Sequence, residues 1–289
     1  MTPWRDRLST LAHERLPAEV AAKWIELVRP GIRLVSAGAG PRVGWLGGAP
    51  VMPAGLEWPE WPGRGPLDFL AAVDCAALPR ESLSVPLPEA GTLLFFYFDG
   101  FRREADDDWP LLEDVEGAQV VFVPAGVPVV ERKAPEGLDP YPARDLYGEV
   151  VATAPGREHI LLDQTEISSG DSLAEAAVAA DRPPDFLGAG VFDDLVWKLH
   201  EKGPHHQVGG FAAPIQGAVE NEIAAEVVGD YRDPLRVEEA ARWVLLAQID
   251  SDDEADMIWG DAGMLYWMIR AEDLEAGRFD RVRCTLQCG

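Results

Sequence analysis

The sequence has few cysteines, few basic residues and no long hydrophobic run. Its three cysteines, Cys75, Cys284 and Cys288, are an odd number without a CxxC pair, which is typical of reduced thiols rather than of a disulfide framework. Charged residues interrupt every apolar stretch before it reaches ~18 residues, so no transmembrane helix is predicted. The first residues also lack the apolar segment of a signal peptide. We therefore expect a cytoplasmic protein with no membrane partner.

Basic residues are outnumbered two to one, since 25 Lys and Arg stand against 50 Asp and Glu and give a net charge of −25. This balance argues against nucleic acid as a partner, because Lys and Arg contacts to phosphates supply most of that affinity. It also disfavours binding to an anionic membrane surface. A hydrophobic share of 47% is too high for a disordered acidic chain. The composition predicts a folded, acidic protein.

Motifs that identify common enzymes and metal sites are missing as well. The sequence contains no GxSxG, P-loop, HExxH or Rossmann fingerprint, each of which reflects a defined catalytic or phosphate-binding geometry. His200, His205 and His206 lack the i, i+4 spacing that sets two imidazoles on one helix face. Cys284 and Cys288 share one face of a predicted strand, where packing as small apolar residues is favoured over metal or redox use. We expect no cofactor and no metal, and whether the protein is an enzyme stays open.

Local patterns predict helices first and short strands afterwards. Within residues 1–30, Val20, Trp24, Leu27 and Val28 recur on one helical face. Further helices are predicted at 171–180, where Ser172 and Glu175 have capping-box spacing, and at 192–200. Apolar runs of strand length stand at 92–98, 119–123, 243–249, 264–269 and 279–288. Because helices and strands are segregated, the fold class is α+β, β-rich and mostly antiparallel, with N-terminal helices.

Three blocks occur twice in the same order. A Gly-Gly turn followed by Pro stands at 47–50 and 209–214, an apolar strand ending in Asp at 69–74 and 245–250, and Ala-Gly before an aromatic strand at 90–96 and 262–267. Chance is the alternative, because short apolar runs ending in Asp are common. The shared order favours an internal duplication, with a first half at about 31–150 and a second at about 151–289. A pocket is expected where the two halves meet.

Two segments near the Gly-Gly turns are candidates for ligand contact. Trp58-Pro-Glu-Trp61-Pro is a stiff aromatic loop, since Pro restricts its own φ and the residue before it. It is interpreted either as an aromatic ligand wall or, in the favoured interpretation, as a lid that packs over the end of the sheet. His206 and Gln207 form a polar pair just before the second Gly-Gly turn.

The acidic segment that begins at Asp250 and continues to Asp261 resembles a calcium loop only superficially. Ala255 stands where the sharp turn of an EF-hand requires Gly, and Asp261 replaces the longer bidentate Glu. A charged hairpin loop is the simpler interpretation, and a weak surface cation site is the alternative. In Trp259-Gly-Asp261-Ala-Gly, the carboxylate of Asp261 either forms the turn or is presented beside Trp259 to a ligand.

These blocks together resemble the YwqG-like bacterial family of unknown function. The resemblance covers most of the chain and rests on the segments 47–59, 66–74, 91–97, 206–210, 243–250, 259–263 and 287–288. It implies one soluble, β-rich α+β domain, which we extend over residues 1–289, and it supplies no activity, cofactor or catalytic residue. Ala72 departs from the family pattern, where Gln is expected, and only Gln248 retains that amide.

Two hypotheses of function follow. The first is a non-catalytic cytosolic binding protein that recognises a basic protein partner, such as a toxin, because a charge of −25 steers cationic surfaces. The second is an enzyme or small-molecule binder with a pocket between the halves, in which His206 or Asp261 accepts a proton. The candidate ligand-binding residues are Trp58, His206, Gln207, Asp250, Trp259 and Asp261.

Overall fold

The chain folds around one large antiparallel sheet. A computed structural model describes residues 3–103, 117–180, 190–199 and 203–289. Its helices are α1 (Pro3–Arg15), α2 (Ala18–Leu27), α3 (Ile160–Gln164), α4 (Leu173–Ala180), α5 (Val191–Leu199), α6 (Val219–Val228), α7 (Leu235–Ala240) and α8 (Ala271–Glu275). Its strands are β1 (Arg29–Val35), β2 (Arg42–Leu46), β3 (Val51–Pro53), β4 (Glu60–Trp61), β5 (Gly65–Pro66), β6 (Asp68–Asp74), β7 (Thr92–Tyr97), β8 (Ala118–Val123), β9 (Val129–Glu131), β10 (Arg144–Thr153), β11 (Gln207–Val208), β12 (Trp243–Asp250), β13 (Met264–Arg270) and β14 (Arg283–Gln287). The predicted α+β, β-rich class with N-terminal helices is confirmed.

Ten strands form the main sheet, in the order β14-β13-β12-β11-β1-β10-β2-β6-β7-β8. Every pairing between them is antiparallel. The sheet curls, so that edge strands β8 and β14 approach each other with Cα atoms within 8 Å. None of the helices in the described ranges is long and apolar enough to cross a bilayer.

The two central strands are exchanged between the two sides of the sheet. β1 precedes β2 in the chain but pairs with β10 and β11, whereas β10 precedes β11 and pairs with β1 and β2. On either side, four strands then follow in chain order: β2, β6, β7 and β8 on one, and β11, β12, β13 and β14 on the other. The strand order therefore repeats about the centre of the sheet.

The repeat extends to a local irregularity in each half. The β6–β7 ladder bulges at Leu70, and the β12–β13 ladder bulges at Leu246. A bulge leaves one backbone carbonyl outside the ladder, and a buried carbonyl needs a donor. In both halves the first glycine of the Gly-Gly turn supplies it, from Gly47 to Leu70 at 2.8 Å and from Gly209 to Leu246 at 3.3 Å. These shared details support the predicted duplication.

Both halves contribute to one apolar core. Phe95 of β7 and Trp267 of β13 occupy matching positions in their ladders, opposite Ala71 and Ala247. Their rings meet edge to face with centroids 5.4 Å apart, and both side chains are fully buried. The two sheet fragments therefore pack against each other through equivalent residues.

Several helices bury their apolar faces in a cluster beside the sheet. α1, α2, α4 and α5 bury a second apolar cluster around Trp24, which stacks on Phe192 at 5.7 Å. The predicted capping box of α4 is present, since the N–H of Ser172 donates to the Glu175 carboxylate at 2.9 Å and the N–H of Glu175 donates to Ser172 Oγ at 3.2 Å.

Two element boundaries differ from the prediction, and one predicted helix end lies outside the described residues. The N-terminal helical region ends at Leu27, and the Pro30-Gly31 pair expected to follow it lies inside β1; Pro30 keeps the extended backbone that its ring permits. The strand expected at 279–288 is limited to β14, because Phe279–Arg281 forms a short 3-10 turn. His200 lies outside the described residues.

Candidate functional site

A cleft of about 180 Å³ lies beside the second Gly-Gly turn. It is bounded by the start of β1, the loop between β6 and β7, the first residues of α3 and α6, the end of α7 and the start of β12. An engineered cavity of about 150 Å³ is large enough to bind benzene. The cleft is therefore large enough for a small organic molecule.

His159 forms one wall of the cleft, and its hydrogen bonds define its tautomer. Its Nδ1 accepts the N–H of Leu161 at 3.2 Å as the N-cap of α3. A neutral imidazole has one donor and one acceptor, so Nε2 carries the hydrogen and faces Oε1 of Glu220 at 3.7 Å. Burial lowers the pKa of the His159 imidazole, Glu220 acts to raise it, and nearby Arg29 lowers it. His159 is therefore neutral at pH 7.

Glu220 lies opposite His159 in the first turn of α6 and is 6% exposed. No described residue donates a hydrogen bond to its carboxylate within 3.5 Å; the imidazole of His159 is the nearest polar group recorded for it. Buried carboxylates in proteins are normally hydrogen-bonded. Glu220 thus offers unused acceptor capacity to the cleft.

Arg29 occupies the exposed rim of the same cleft. Its guanidinium lies over the ring of Phe211, 4.7 Å from the centroid, in a cation–π arrangement. The edge of the His159 ring meets that phenyl ring at 5.0 Å. Burial lowers the pKa of the Arg29 guanidinium, and the charge of Glu220 acts to raise it. No described side chain lies within ion-pair distance of this guanidinium, so its donors can bind an anionic group.

The loop that forms the floor of the cleft is rigidly held. Gly210 has a φ of +75°, a conformation that favours glycine, and its N–H donates to Ser84 Oγ at 2.6 Å. Gln207 donates its amide hydrogens to the carbonyls of Gly209 and Phe211 at 2.7 and 2.9 Å. Gln207, one of the six candidate residues, thus stabilises this turn through hydrogen bonds and does not line the cleft.

His206 and Asp250 lie together at the other end of β12. Nδ1 of His206 accepts the N–H of Asp250 at 3.1 Å, and its Nε2 faces the Asp252 carboxylate at 3.3 Å. Asp250 accepts the N–H of His205 at 2.7 Å, and burial raises the pKa of the Asp250 carboxyl. Both nitrogens of His206 are occupied within the protein.

The remaining three candidate residues lie at separate places. Trp259 is buried between Tyr97 and Tyr141, with ring centroids 5.8 and 6.1 Å away. Asp261 is exposed on the β12–β13 loop. Trp58 is 9% exposed and donates to the Leu67 carbonyl at 2.8 Å, which supports the lid interpretation. None of the six candidate residues lines the cleft of about 180 Å³.

The acidic loop is largely neutralised by the protein itself. Asp252 accepts the N–H of Glu254 at 2.9 Å, Glu254 pairs with Arg144 at 2.9 Å, and Asp256 pairs with Arg102 at 2.9 Å. Across the described ranges, no three His, Cys, Asp or Glu side chains are arranged to hold a metal ion. The loop has the features of a charged hairpin connection.

The first Gly-Gly turn has a cavity at the corresponding position, but it is nearly filled. Gly48, Trp58, Asp68, Phe69 and Tyr141 border a space of about 10 Å³, which is room for about one water molecule. In the second half, the matching position between Gly210 and Leu245 is open. The aromatic loop therefore accounts for the difference between the two halves.

Comparison with protein families gives one match. Residues 45–288 match the family described as "Domain of unknown function (DUF1963)". The chain belongs to this family. A comparison with curated proteins finds no match. Both Gly-Gly turns, both bulged ladders and most of the cleft lie within the DUF1963 domain, whereas Arg29 enters the cleft from β1, which precedes the matched residues.

Sequence reasoning missed the three charged or titratable groups of the cleft. Arg29, His159 and Glu220 are more than 60 residues apart in the sequence of this DUF1963 protein and belong to no local motif. The usable signal was the Gly209-Gly210 turn, which did indicate the correct neighbourhood. Only the folded chain brings the start of β1 and the first residues of α3 and α6 to that turn.

Proposed function

We propose that this protein is a non-catalytic binding protein whose ligand is a small molecule held in the cleft beside Gly210. One observation carries the proposal: a cleft of about 180 Å³ contains the buried carboxylate of Glu220 and the unpaired guanidinium of Arg29. Concave sites with a few converging polar groups on apolar walls are the usual form of small-molecule sites.

Binding is favoured over catalysis by the state of the only imidazole in the cleft. Among the residues that line the cleft, Ser84 carries the hydroxyl group that could act as a nucleophile. Nucleophilic catalysis by a hydroxyl requires a base that takes its proton. However, Nδ1 of His159 accepts a backbone N–H and Nε2 carries a hydrogen directed at Glu220. Ser84 Oγ itself accepts the N–H of Gly210. No nitrogen of His159 is available as a base toward Ser84.

Filling the cleft tests this proposal. Ala241 is exposed and lines the cleft, whereas Ala22 is exposed on α2 far from it in the sequence. A library of small polar metabolites is screened by thermal shift on the wild type, Ala241→Phe and the control Ala22→Phe. Ligands at about 100 times their Kd stabilise a protein by about 2.7 kcal/mol. We expect this stabilisation in the wild type and the control and its loss in Ala241→Phe; equal stabilisation of both variants would place binding elsewhere.

Recognition of a basic protein is our second proposal, and the charge of −25 supports it. Raising the salt from about 0.1 M to about 1 M shortens the screening length from about 10 Å to about 3 Å. Saturable binding of a lysine-rich peptide should therefore weaken at least about 10-fold over that range, as measured by fluorescence anisotropy against a neutral peptide of equal length. Salt-independent binding of the lysine-rich peptide would contradict this proposal.

We further propose that the chain is a bacterial, cytoplasmic protein of the YwqG-like group. The sequence blocks around the two Gly-Gly turns support the group, and three free cysteines support a reducing compartment. We assign Trp259 and Asp261 to the scaffold rather than to the proposed binding site, because Trp259 is buried and Asp261 is exposed on the β12–β13 loop.

A further inference from the structure

The unused hydrogen-bonding groups of the cleft have opposite charges. Glu220 is buried and accepts no hydrogen bond from the described residues; the imidazole of His159 lies 3.7 Å from Oε1, and Arg29 interacts with the carboxylate only through its charge. A carboxylate without a hydrogen-bond donor on the protein side keeps its acceptor capacity for a ligand in the cleft. A ligand with N–H or O–H donors, and above all an ammonium group, would use that acceptor capacity in charge-assisted hydrogen bonds.

Arg29 requires the complementary group. Its guanidinium carbon lies over the Phe211 ring, 4.7 Å from the centroid, and no described side chain accepts its N–H donors. Planar guanidinium donors match the two oxygens of a carboxylate. An isolated cationic ligand would be repelled by Arg29, and an isolated anion would be repelled by Glu220 and by the net charge of −25. A molecule that carries both charges meets neither obstacle.

We propose that the ligand is a small zwitterion of amino-acid size, with its ammonium group on the carboxylate of Glu220 and its carboxylate on the guanidinium of Arg29. This inference rests on the proposed function, since it assigns the chemistry of the same cleft. The apolar walls contributed by Phe211, Val244 and Leu245 face the carbon chain between the charged ends. The volume of about 180 Å³ limits the ligand to roughly the size of a benzene derivative.

A series of unbranched ω-amino acids of increasing length tests the distance between the two binding groups. Glycine, β-alanine, γ-aminobutyrate and δ-aminovalerate carry the same charges at increasing separation. We expect isothermal titration calorimetry to show one preferred chain length, because both charged ends must reach their partners at once. Removing either end, as in the matching alkylamine and the matching carboxylic acid, should weaken binding about 10- to 100-fold.

Two variants and two matched controls assign the charged ends. Glu220→Gln should weaken the preferred zwitterion about 10- to 100-fold but not weaken the matching carboxylic acid, which gains from the removal of a like charge. Arg29→Gln should have the converse effect: it should weaken the zwitterion but not the alkylamine, which gains from the removal of a like charge. Glu238→Gln on α7 and Arg232→Gln, both at exposed positions, make the same charge changes outside the cleft. They should bind like the wild type.

The unliganded stability of the first variant keeps the test informative. Glu220 lies in the first turn of α6, where a carboxylate interacts favourably with the helix dipole, while its burial acts in the opposite direction. We therefore expect Glu220→Gln to be folded, with a thermal midpoint within a few degrees of the wild type. Circular dichroism before each titration verifies this.

The results separate the two levels of the proposal. If neutral or singly charged molecules bind in a manner that Ala241→Phe abolishes, while no ω-amino acid binds, the zwitterion is overturned and the small-molecule site stands. If zwitterions bind equally well to Glu220→Gln and Arg29→Gln, the assignment of the charged ends is wrong. If binding of every ligand is unaffected by Ala241→Phe, the proposed function itself fails.

Discussion

Replacing Gly47 by alanine is expected to reduce the free energy of unfolding by about 2–5 kcal/mol. Gly47 has a φ of +56°, and an added Cβ would lie 2.4 Å from the carbonyl oxygen of Pro142 and 2.6 Å from that of Tyr141. A left-handed conformation costs an L-residue about 1–2 kcal/mol, and overpacking costs about 1–3 kcal/mol more. The effect is large because the obstructing atoms belong to the backbone and cannot rotate away.

Chemical denaturation of three variants provides the comparison. An added Cβ at Gly209, the matching position of the second turn, meets side-chain atoms of Val85 and Ser84 at 3.0 and 3.2 Å, so Gly209→Ala should cost only about 1–2 kcal/mol. Gly55 has nothing within 4 Å of an added Cβ, and Gly55→Ala should change the stability by less than about 0.5 kcal/mol. Equal losses in Gly47→Ala and Gly55→Ala would contradict the described geometry of the first turn.

Truncating Trp267 to alanine should cost about 3–5 kcal/mol. Trp267 is fully buried and meets Phe95 at the contact between the two halves, so the truncation removes packing on both sides of the core. We expect the loss in guanidinium unfolding followed by far-UV circular dichroism. Removal of a large exposed side chain, in the control Tyr231→Ala at 58% exposure, should leave the midpoint nearly unchanged.

Trp267→Phe separates packing from hydrogen bonding. The indole Nε1 of Trp267 is buried and has no hydrogen-bond partner in the described part of the protein, so its removal leaves no partner unsatisfied. The loss should therefore be well below that of Trp267→Ala. A phenylalanine variant as unstable as the alanine variant would show that the N–H group makes a stabilising interaction.

The fold class was predictable from the sequence because its signals are local. The capping box at Ser172 and Glu175 and the apolar runs of β7, β8, β12 and β13 each lie within about ten residues. The repeated blocks likewise correspond to equivalent ladders with equivalent bulges. Their evolutionary origin by duplication stays a prediction that these shared details support.

Long-range pairing and the binding groups were beyond local patterns. Arg29 to Val35 follows a helix and contains Pro30 and Gly31, so nothing nearby identifies it as a central strand that pairs with β10 and β11. The same limitation applies to Glu220, which reads as an ordinary first-turn acid of an amphipathic helix. Its place in the proposed site rests on the lack of a hydrogen-bond donor to its carboxylate among the described residues.

The candidate residues were chosen because their types are common in binding sites, yet several proved to be parts of the scaffold. Both ring nitrogens of His206 have partners within the protein, since Nδ1 accepts the N–H of Asp250 and Nε2 faces the carboxylate of Asp252. The side-chain amide of Gln207 donates its hydrogens to two carbonyls of the second turn. Residue type alone does not distinguish a group that holds a turn from a group that offers a free atom to a ligand.

The exchanged central strands have a consequence for any ancestor with a single repeat. β1 completes the ladder of β11, and β10 completes that of β2, so one repeat alone would expose unpaired strand edges. Two such chains would satisfy each other as a domain-swapped homodimer. Fusion of two such repeats into one polypeptide would replace that bimolecular association with an intramolecular one at a roughly millimolar effective concentration, and it would leave the two Gly-Gly turns free to diverge, as the filled first turn and the open second turn do here.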